Sequence, residues 1–113
     1  MNDIKLMNKA ADNIRILAAS MVEKAKSGHP GGAMGGADFV NVLFSEFLVY
    51  DPKNPAWEGR DRYFQDPGHM SPMLYSVLAL TGKFTIDELK EFRQWGSVTP
   101  GHPEVHVMRG IEN

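Results

Sequence analysis

Three of the four histidines of this chain stand in short turns that also contain glycine. The turns read Ser27-Gly28-His29-Pro30-Gly31, Gly68-His69 and Gly101-His102-Pro103. Imidazole side chains as a class gain and lose a proton near neutral pH, so they can serve as acid, base or hydrogen-bond partner. Glycine beside them lets a ligand approach the main chain closely. The three turns therefore predict a site where a ligand is bound and protons move.

A metal site built from histidines is the first alternative, and the spacing argues against it. His102 and His106 are four residues apart, but Pro103 between them disfavours the helix that would place both on one face. Glu104 also stands at the wrong position for the H-E-x-x-H pattern of zinc enzymes.

The glycines between Gly31 and Gly36 do not form a nucleotide-binding motif. They do not match G-x-G-x-x-G, and no predicted strand precedes them. They predict instead a place where two helices, or a helix and a ligand, approach closely. Gly68 and His69 precede a predicted helix start, where free N–H groups and the helix dipole favour a phosphate group.

Periodicity and turn residues predict the elements that position these turns. We expect helices over Asn2–Lys26, Gly35–Val49, Met73–Leu80 and from Thr85 to Trp95, with one strand at Arg62–Gln65. The first helix carries an apolar stripe from Ile4 to Ala25, and Ser71 is expected to cap the third helix. The fourth helix is expected to begin with a capping box at Thr85 and Glu88 and to bury Ile86, Leu89 and Phe92. The second helix is apolar nearly all round, which predicts that a partner or further chain covers it. Because one strand makes no sheet, the pattern predicts the beginning of an α/β layered domain, mostly α-helical with one short strand.

Composition narrows the function classes. The 113 residues carry 12 Lys+Arg against 14 Asp+Glu, with no cysteine. We expect no nucleic-acid partner, since the basic excess typical of such proteins is missing, and no disulfide framework. No apolar run reaches the ~18 residues of a membrane span, and the first residues lack signal-peptide features. We therefore expect no membrane partner and a cytoplasmic protein.

Taken in order, the motifs of this chain resemble those of the transketolase family, thiamine diphosphate enzymes of sugar-phosphate metabolism. The matching segments are Ser27-Gly28-His29-Pro30-Gly31, Asn54-Pro55-Ala56-Trp57, Arg60-Asp61-Arg62, Gly68-His69, Leu89-Lys90-Glu91-Phe92-Arg93-Gln94 and Thr99-Pro100-Gly101-His102-Pro103-Glu104. The resemblance spans residues 17–112, and it implies that residues 1–113 are the incomplete N-terminal part of the diphosphate-binding domain.

The resemblance also implies roles for single residues. His69, with Gly68, would contact the diphosphate of the cofactor. His29 and His102 would line the substrate channel, bind the hydroxyls of a ketose phosphate and help to move protons. The implied reaction transfers a two-carbon ketol unit between sugar phosphates in the pentose phosphate pathway. The implied cofactors are thiamine diphosphate and Mg²⁺, and the implied complete enzyme is a homodimer.

Some family features are missing. The G-P-L-G-Q-G segment, the metal-binding G-D-G and the activating glutamate are not in this sequence, and Met70 replaces a small residue. We therefore expect the chain alone to be inactive and to need the remainder of the enzyme or a separately encoded subunit. Two alternatives stay open: a non-catalytic helical module that packs against a partner chain, and a segment of dihydroxyacetone synthase. His106 matches no family role.

Overall fold

In a computed structural model, which describes residues 2–113, most of the other helices pack against the long helix α1 (Ile4–Ala25). Asp3 caps its start by accepting a hydrogen bond from the backbone N–H of Lys5 at 3.2 Å. The predicted apolar stripe is buried in its middle part, at Ala11, Ile14, Ala18 and Met21, whereas Ile4 is exposed. None of the described helices is long and apolar enough to cross a membrane.

The remaining elements are short. They are α2 (Pro30–Gly35), α3 (Ala37–Val42), a π-helical turn (Leu43–Phe47), a 3₁₀ turn (Gly68–Met70), α4 (Ser71–Leu80), α5 (Ile86–Leu89) and a second 3₁₀ turn (Val107–Arg109). The helix predicted over 35–49 is present over residues 37–47, where α3 continues directly into the π-helical turn, and the short α2 that precedes Gly36 is not predicted from the sequence. The apolar side chains of Phe39 and Phe47 there are more than 60% exposed.

Helix α4 is the centre of the core. Its first eight residues, Ser71 to Leu78, are all buried, as its apolar composition predicts. Gly82 ends the helix with a φ of +87°, a left-handed backbone that glycine adopts without strain. The expectation that Ser71 caps the helix is wrong: Met70 is the cap residue, and the Ser71 hydroxyl donates instead to a distant loop.

Helix α5 begins with the predicted capping box. Thr85 Oγ1 accepts from the Glu88 N–H at 3.1 Å, and Glu88 Oε1 accepts from the Thr85 N–H at 2.9 Å. The helix ends at Leu89 rather than at the predicted Trp95, and the chain continues in turns. Of the side chains predicted to be buried, Leu89 and Phe92 are buried, whereas Ile86 is half exposed.

Glu88 also forms an ion pair with Arg109, which links α5 to the last 3₁₀ turn. Glu88 Oε2 lies 2.6 Å from Arg109 Nη2, and both side chains are about three-quarters buried. This contact and the backbone hydrogen bond from Thr85 lower the pKa of Glu88 to about 2. The carboxylate is thus ionised, and stabilising, down to an acidity at which an unfolded glutamate is protonated.

We expect Glu88→Gln to change the pH dependence of stability. In the parent chain, the stabilisation from Glu88 is full above the unfolded pKa near 4.5 and is lost as the pH falls to about 2. Glutamine keeps the capping hydrogen bond but not the charge. The free energy of unfolding of the variant should therefore be lower by about 2 kcal/mol at pH 7, and it should vary less between pH 4.5 and pH 2. Urea unfolding at several pH values measures this.

Asp87→Asn is the matched control, since Asp87 is 93% exposed and pairs only with Lys90 at 3.6 Å. A Glu88→Gln variant that kept the parent's pH profile would contradict the stabilising role of the ion pair.

The predicted strand at Arg62–Gln65 is wrong for the described residues. The segment is extended, with Gln65 buried and Phe64 exposed, but no strand in residues 2–113 pairs with it. The Gln65 carbonyl instead accepts a hydrogen bond from Asn113 Nδ2 at 3.1 Å. The adjacent aromatic residues Tyr63 and Phe64 favour an extended backbone, but a strand also needs a neighbour to supply the ladder.

An ion pair links the extended segment to the end of the described chain. Arg60 donates two hydrogen bonds to Glu112, Nε to Oε2 at 2.7 Å and Nη2 to Oε1 at 3.1 Å. Only 10% of each side chain is exposed. The hydrogen bond from Arg60 lowers the pKa of Glu112, so the carboxylate stays ionised and holds residues 60 and 112 together.

Candidate functional site

The three histidines singled out from the sequence lie close together in space. The ring centroids of His29 and His69 are 4.7 Å apart, in an edge-to-face arrangement. A Cβ atom built on Gly68 would lie 3.0 Å from His102 Nδ1, so the His102 ring packs against the residue that precedes His69. The turn at 68–69 is therefore flanked by the other two imidazoles.

The turn after α1 positions His29. Lys26 ends the helix in the left-handed region, with φ +54°, and Gly28 follows with φ +132°. A Cβ atom on Gly28 would lie 3.1 Å from Val22 and 3.2 Å from Phe92, so a side chain would disturb the packing as well as the backbone. The chain then leaves His29 extended and starts α2 at Pro30.

The glycines of α2 allow the close helix approach that the sequence predicts. A Cβ atom on Gly32 would meet the Met70 side chain at 2.9 Å, and one on Gly36 would meet Met73 Sδ at 2.6 Å. Met70, which replaces a small residue of the family pattern, thus fits against a glycine of the neighbouring helix. This packing holds the 3₁₀ turn that carries His69 against α2, next to His29.

Two buried hydroxyls of α4 hold the loop that carries His102. Ser71 Oγ donates to the Gly101 carbonyl and Tyr75 Oη donates to the Pro100 carbonyl, both at 2.6 Å. Burial, with a smaller contribution from the charge of Glu104, raises the pKa of Tyr75 far above its usual value. The Tyr75 hydroxyl therefore keeps its proton and remains a donor across the physiological pH range.

The exposure of the three rings suits a site that receives a ligand. His29 and His102 are exposed and His69 is half-buried. Within residues 2–113, no carboxylate forms an ion pair with any of the three. An open cleft of about 880 Å³ lies next to His102. It is lined by the loop that carries His102, including Glu104, and by Arg93. Imidazole donors free of acidic partners fit an anionic ligand such as a diphosphate.

The helix start itself is a poorer anion site than the sequence suggests. The N–H groups of Met70 and Ser71 donate back to Pro67 and Gly68 within the 3₁₀ turn. Pro72 has no N–H to offer. Binding of an anion here would therefore depend more on the His69 side chain than on the α4 dipole.

His106 makes none of the contacts that bring the other three histidines together. It is exposed, and its backbone pairs with Ile111 in an isolated bridge. In the part of the chain that the structure describes, no three His, Asp or Glu side chains are grouped as metal ligands.

Sequence reasoning missed the residues that hold the cluster together. The sequence predicts that Ser71 caps a helix, and it predicts no role for Tyr75 or Arg93. Their partners are backbone carbonyls or side chains that lie 25 to 66 residues away along the chain. Arg93 lies in the segment 89–94 that resembles the family, and this resemblance is the one feature of the sequence that singles it out.

Comparison with known proteins identifies the family to which this chain belongs. The family model described as "Transketolase, thiamine diphosphate binding domain" matches residues 6–113. The chain belongs to this family. The predicted family is thus confirmed, and with it thiamine diphosphate as the ligand of the domain.

Two curated relatives show the extent of the likeness. Transketolase from Buchnera aphidicola (subspecies Baizongia pistaciae) is 53% identical over 108 residues, which cover 95% of this chain and 16% of the relative. Transketolase 1 of Escherichia coli is 52% identical over 103 residues, 90% of this chain and 16% of the relative. The chain therefore spans about one-sixth of the length of the curated transketolases it matches.

Solved transketolases have the same fold over this segment. The Campylobacter jejuni enzyme superposes with a TM-score of 0.90 at 46% identity, covering 97% of this chain and 17% of that one. The Pichia stipitis enzyme, solved in complex with sedoheptulose-7-phosphate, gives a TM-score of 0.88 at 42% identity. This match covers 93% of this chain and 16% of that one. The expected class, the mostly helical beginning of an α/β transketolase domain, is confirmed, apart from the strand discussed above.

Proposed function

We propose that this chain works as part of a transketolase that transfers a two-carbon ketol unit from a ketose phosphate to an aldose phosphate. The observation that supports this most directly is the meeting of His29, His69 and His102 at one place in a chain of this family. Three separate loops supply the three rings, and buried contacts hold each loop.

Each ring has a proposed task. His69, beside Gly68, donates a hydrogen bond to the diphosphate of the cofactor. When bound, thiamine diphosphate supplies the carbanion chemistry that no protein side chain offers. His29 and His102 bind the hydroxyls of the ketose phosphate and accept or return a proton at the hydroxyl that becomes a carbonyl.

The remaining parts of the proposal concern the complete enzyme. The proposed Mg²⁺ would be held by residues other than 2–113, since the described residues offer no group of three ligands. The homodimer, the cytoplasmic location, the place in the pentose phosphate pathway and the incomplete domain at residues 1–113 stay predictions.

A chimeric enzyme tests the proposed function. In it, this chain replaces the matching segment of the Escherichia coli transketolase 1, to which it is 52% identical. We expect the chimera to bind thiamine diphosphate and to transfer a ketol unit from a ketose phosphate such as sedoheptulose-7-phosphate. His106→Ala is the matched histidine control and should leave turnover unchanged. A folded chimera that binds the cofactor but does not transfer the ketol unit would refute the proposal.

A further inference from the structure

Arg93 lies between the loop that carries His29 and the loop that carries His102. Its Nη1 donates a hydrogen bond to Ser27 Oγ at 2.9 Å. A Cβ atom built on Gly101 would lie 2.8 Å from Arg93 Nε and 3.2 Å from its Cζ. The guanidinium group therefore contacts one loop by a hydrogen bond and the other by close packing that only glycine permits.

The backbone of Arg93 is held in an unusual conformation. Its φ is +62°, one of two left-handed angles at non-glycine residues in the described chain. Its N–H donates to the Thr99 carbonyl at 3.0 Å, which fixes the start of the His102 loop. A left-handed backbone is unfavourable for arginine, and glycine would avoid that cost. The side chain must therefore contribute something that glycine lacks.

Simple stabilisation does not account for this side chain. Arg93 Nε is buried without a hydrogen-bond partner, and no acidic residue among residues 2–113 forms an ion pair with it. A buried donor left unpaired lowers stability rather than raising it. Besides the hydrogen bond to Ser27, its guanidinium group lies over the Phe92 ring, 5.5 Å from Cζ. The geometry therefore favours a role in placing the two loops.

We propose that Arg93 is a positioning residue, a planar brace that sets the distance between the His29 loop and the His102 loop. This inference rests on the proposed function, in which both imidazoles act on one substrate. Guanidinium is flat and rigid, so it can lie against Gly101 while one nitrogen reaches Ser27. Lysine carries the same charge but lacks the plane and the second nitrogen.

The test uses Arg93→Ala and Arg93→Lys in the chimeric enzyme. We expect kcat to fall between about tenfold and 100-fold in both variants, since small misplacements of catalytic groups have effects of this size. The KM for thiamine diphosphate should stay within about twofold, because His69 lies on neither braced loop. Guanidinium chloride should restore part of the lost kcat to Arg93→Ala, and sodium chloride at equal ionic strength should not.

Ser27→Ala is a further variant with a smaller expected effect. It removes one contact of the brace, so we expect a smaller fall in kcat and no further fall when it is combined with Arg93→Ala. Lys90→Ala is the control for loss of a nearby positive charge, since the Lys90 side chain is exposed and its ion pair among the described residues is with Asp87.

Three results would overturn the inference. They are unchanged kcat in both Arg93 variants, full activity in Arg93→Lys, and parallel losses of kcat and cofactor affinity with no guanidinium rescue. If Arg93→Ala does not fold, Arg93→Lys and Ser27→Ala still decide the matter. An inactive parent chimera would refute the proposed function before any Arg93 variant is measured, so the two failures are distinct.

Discussion

Replacing His102 by alanine in the chimeric enzyme is expected to lower kcat/KM for the ketose phosphate by about 100-fold to 10,000-fold. General acid–base groups contribute factors of this size when they act on the reacting atoms. The His102 ring is exposed, lies against Gly68 and forms no ion pair among the described residues, so it is available to a substrate. His29→Ala should give a loss of the same order, because the proposed function assigns both rings to the same substrate.

Three further variants separate the proposed roles. His102→Gln keeps a hydrogen-bond donor, but the amide is neither an acid nor a base. Compared with His102→Ala, its KM should therefore return toward the parent value more than its kcat does. His69→Ala should mainly raise the concentration of thiamine diphosphate needed for half-maximal activity. The double variant His29→Ala/His102→Ala should lose less activity than the product of the two single losses, since in the proposed function the two groups act together. Wild-type steady-state constants in both alanine variants would contradict the assigned roles.

Phe92→Ala is expected to destabilise the 113-residue chain by about 3–5 kcal/mol, the cost of removing a large aromatic side chain from a packed core. Phe92 is 1% exposed, and its ring centroid lies 6.3 Å from that of Tyr75. Its edge also packs against Gly28, 3.2 Å from the position a Cβ would take. The cavity would therefore open beneath the His29 turn and beside the residue that holds the His102 loop.

Phe64→Ala is the matched control, because it deletes the same side chain at a position that is 62% exposed. We expect its free energy of unfolding to stay within about 0.5 kcal/mol of the parent. Urea unfolding followed by tryptophan fluorescence measures both variants. Equal losses for Phe92→Ala and Phe64→Ala would show that the core is not organised as described.

The unpartnered apolar surface bears on the alternative of a module that packs against another chain. Phe39 and Phe47 are 66% and 69% exposed, on the elements that the sequence predicts to be covered. Exposed apolar side chains of this size mark surfaces that other protein covers. The chain spans about one-sixth of the transketolases it matches, and the remainder of such a protein would cover apolar side chains as a partner chain would, so exposure alone does not favour the non-catalytic alternative.

Local rules account for the elements that the sequence predicted correctly. The body of α1 follows from one apolar residue every three or four positions, and the capping box at Thr85 and Glu88 follows from the side chains themselves. The turn after α4 follows from Gly82. Each of these depends on residues within about four positions of one another, so no distant partner is needed to specify it.

The errors at Ser71, at residues 62–65 and at the start of the second helix arise where a contact with a distant segment, present or missing, overrides a local preference. Ser71 resembles a cap, but its hydroxyl is taken by the Gly101 carbonyl 30 residues away. The segment at 62–65 is extended but has no neighbouring strand among the described residues. The second helix begins only after Gly36, where α2 and α3 both pack against α1 and α4. Propensity is a weak prior that such contacts override.

By itself, the sequence determined the family, the long helix and the three histidine turns, because motif order and short-range periodicity are written in neighbouring residues. The tertiary structure alone decided that His29 and His69 lie ring to ring and that His102 packs on Gly68. It also alone revealed Arg93 between the loops. Residues tens of positions apart meet only when the buried core of α1 and α4 brings their loops together, and no local pattern encodes that meeting.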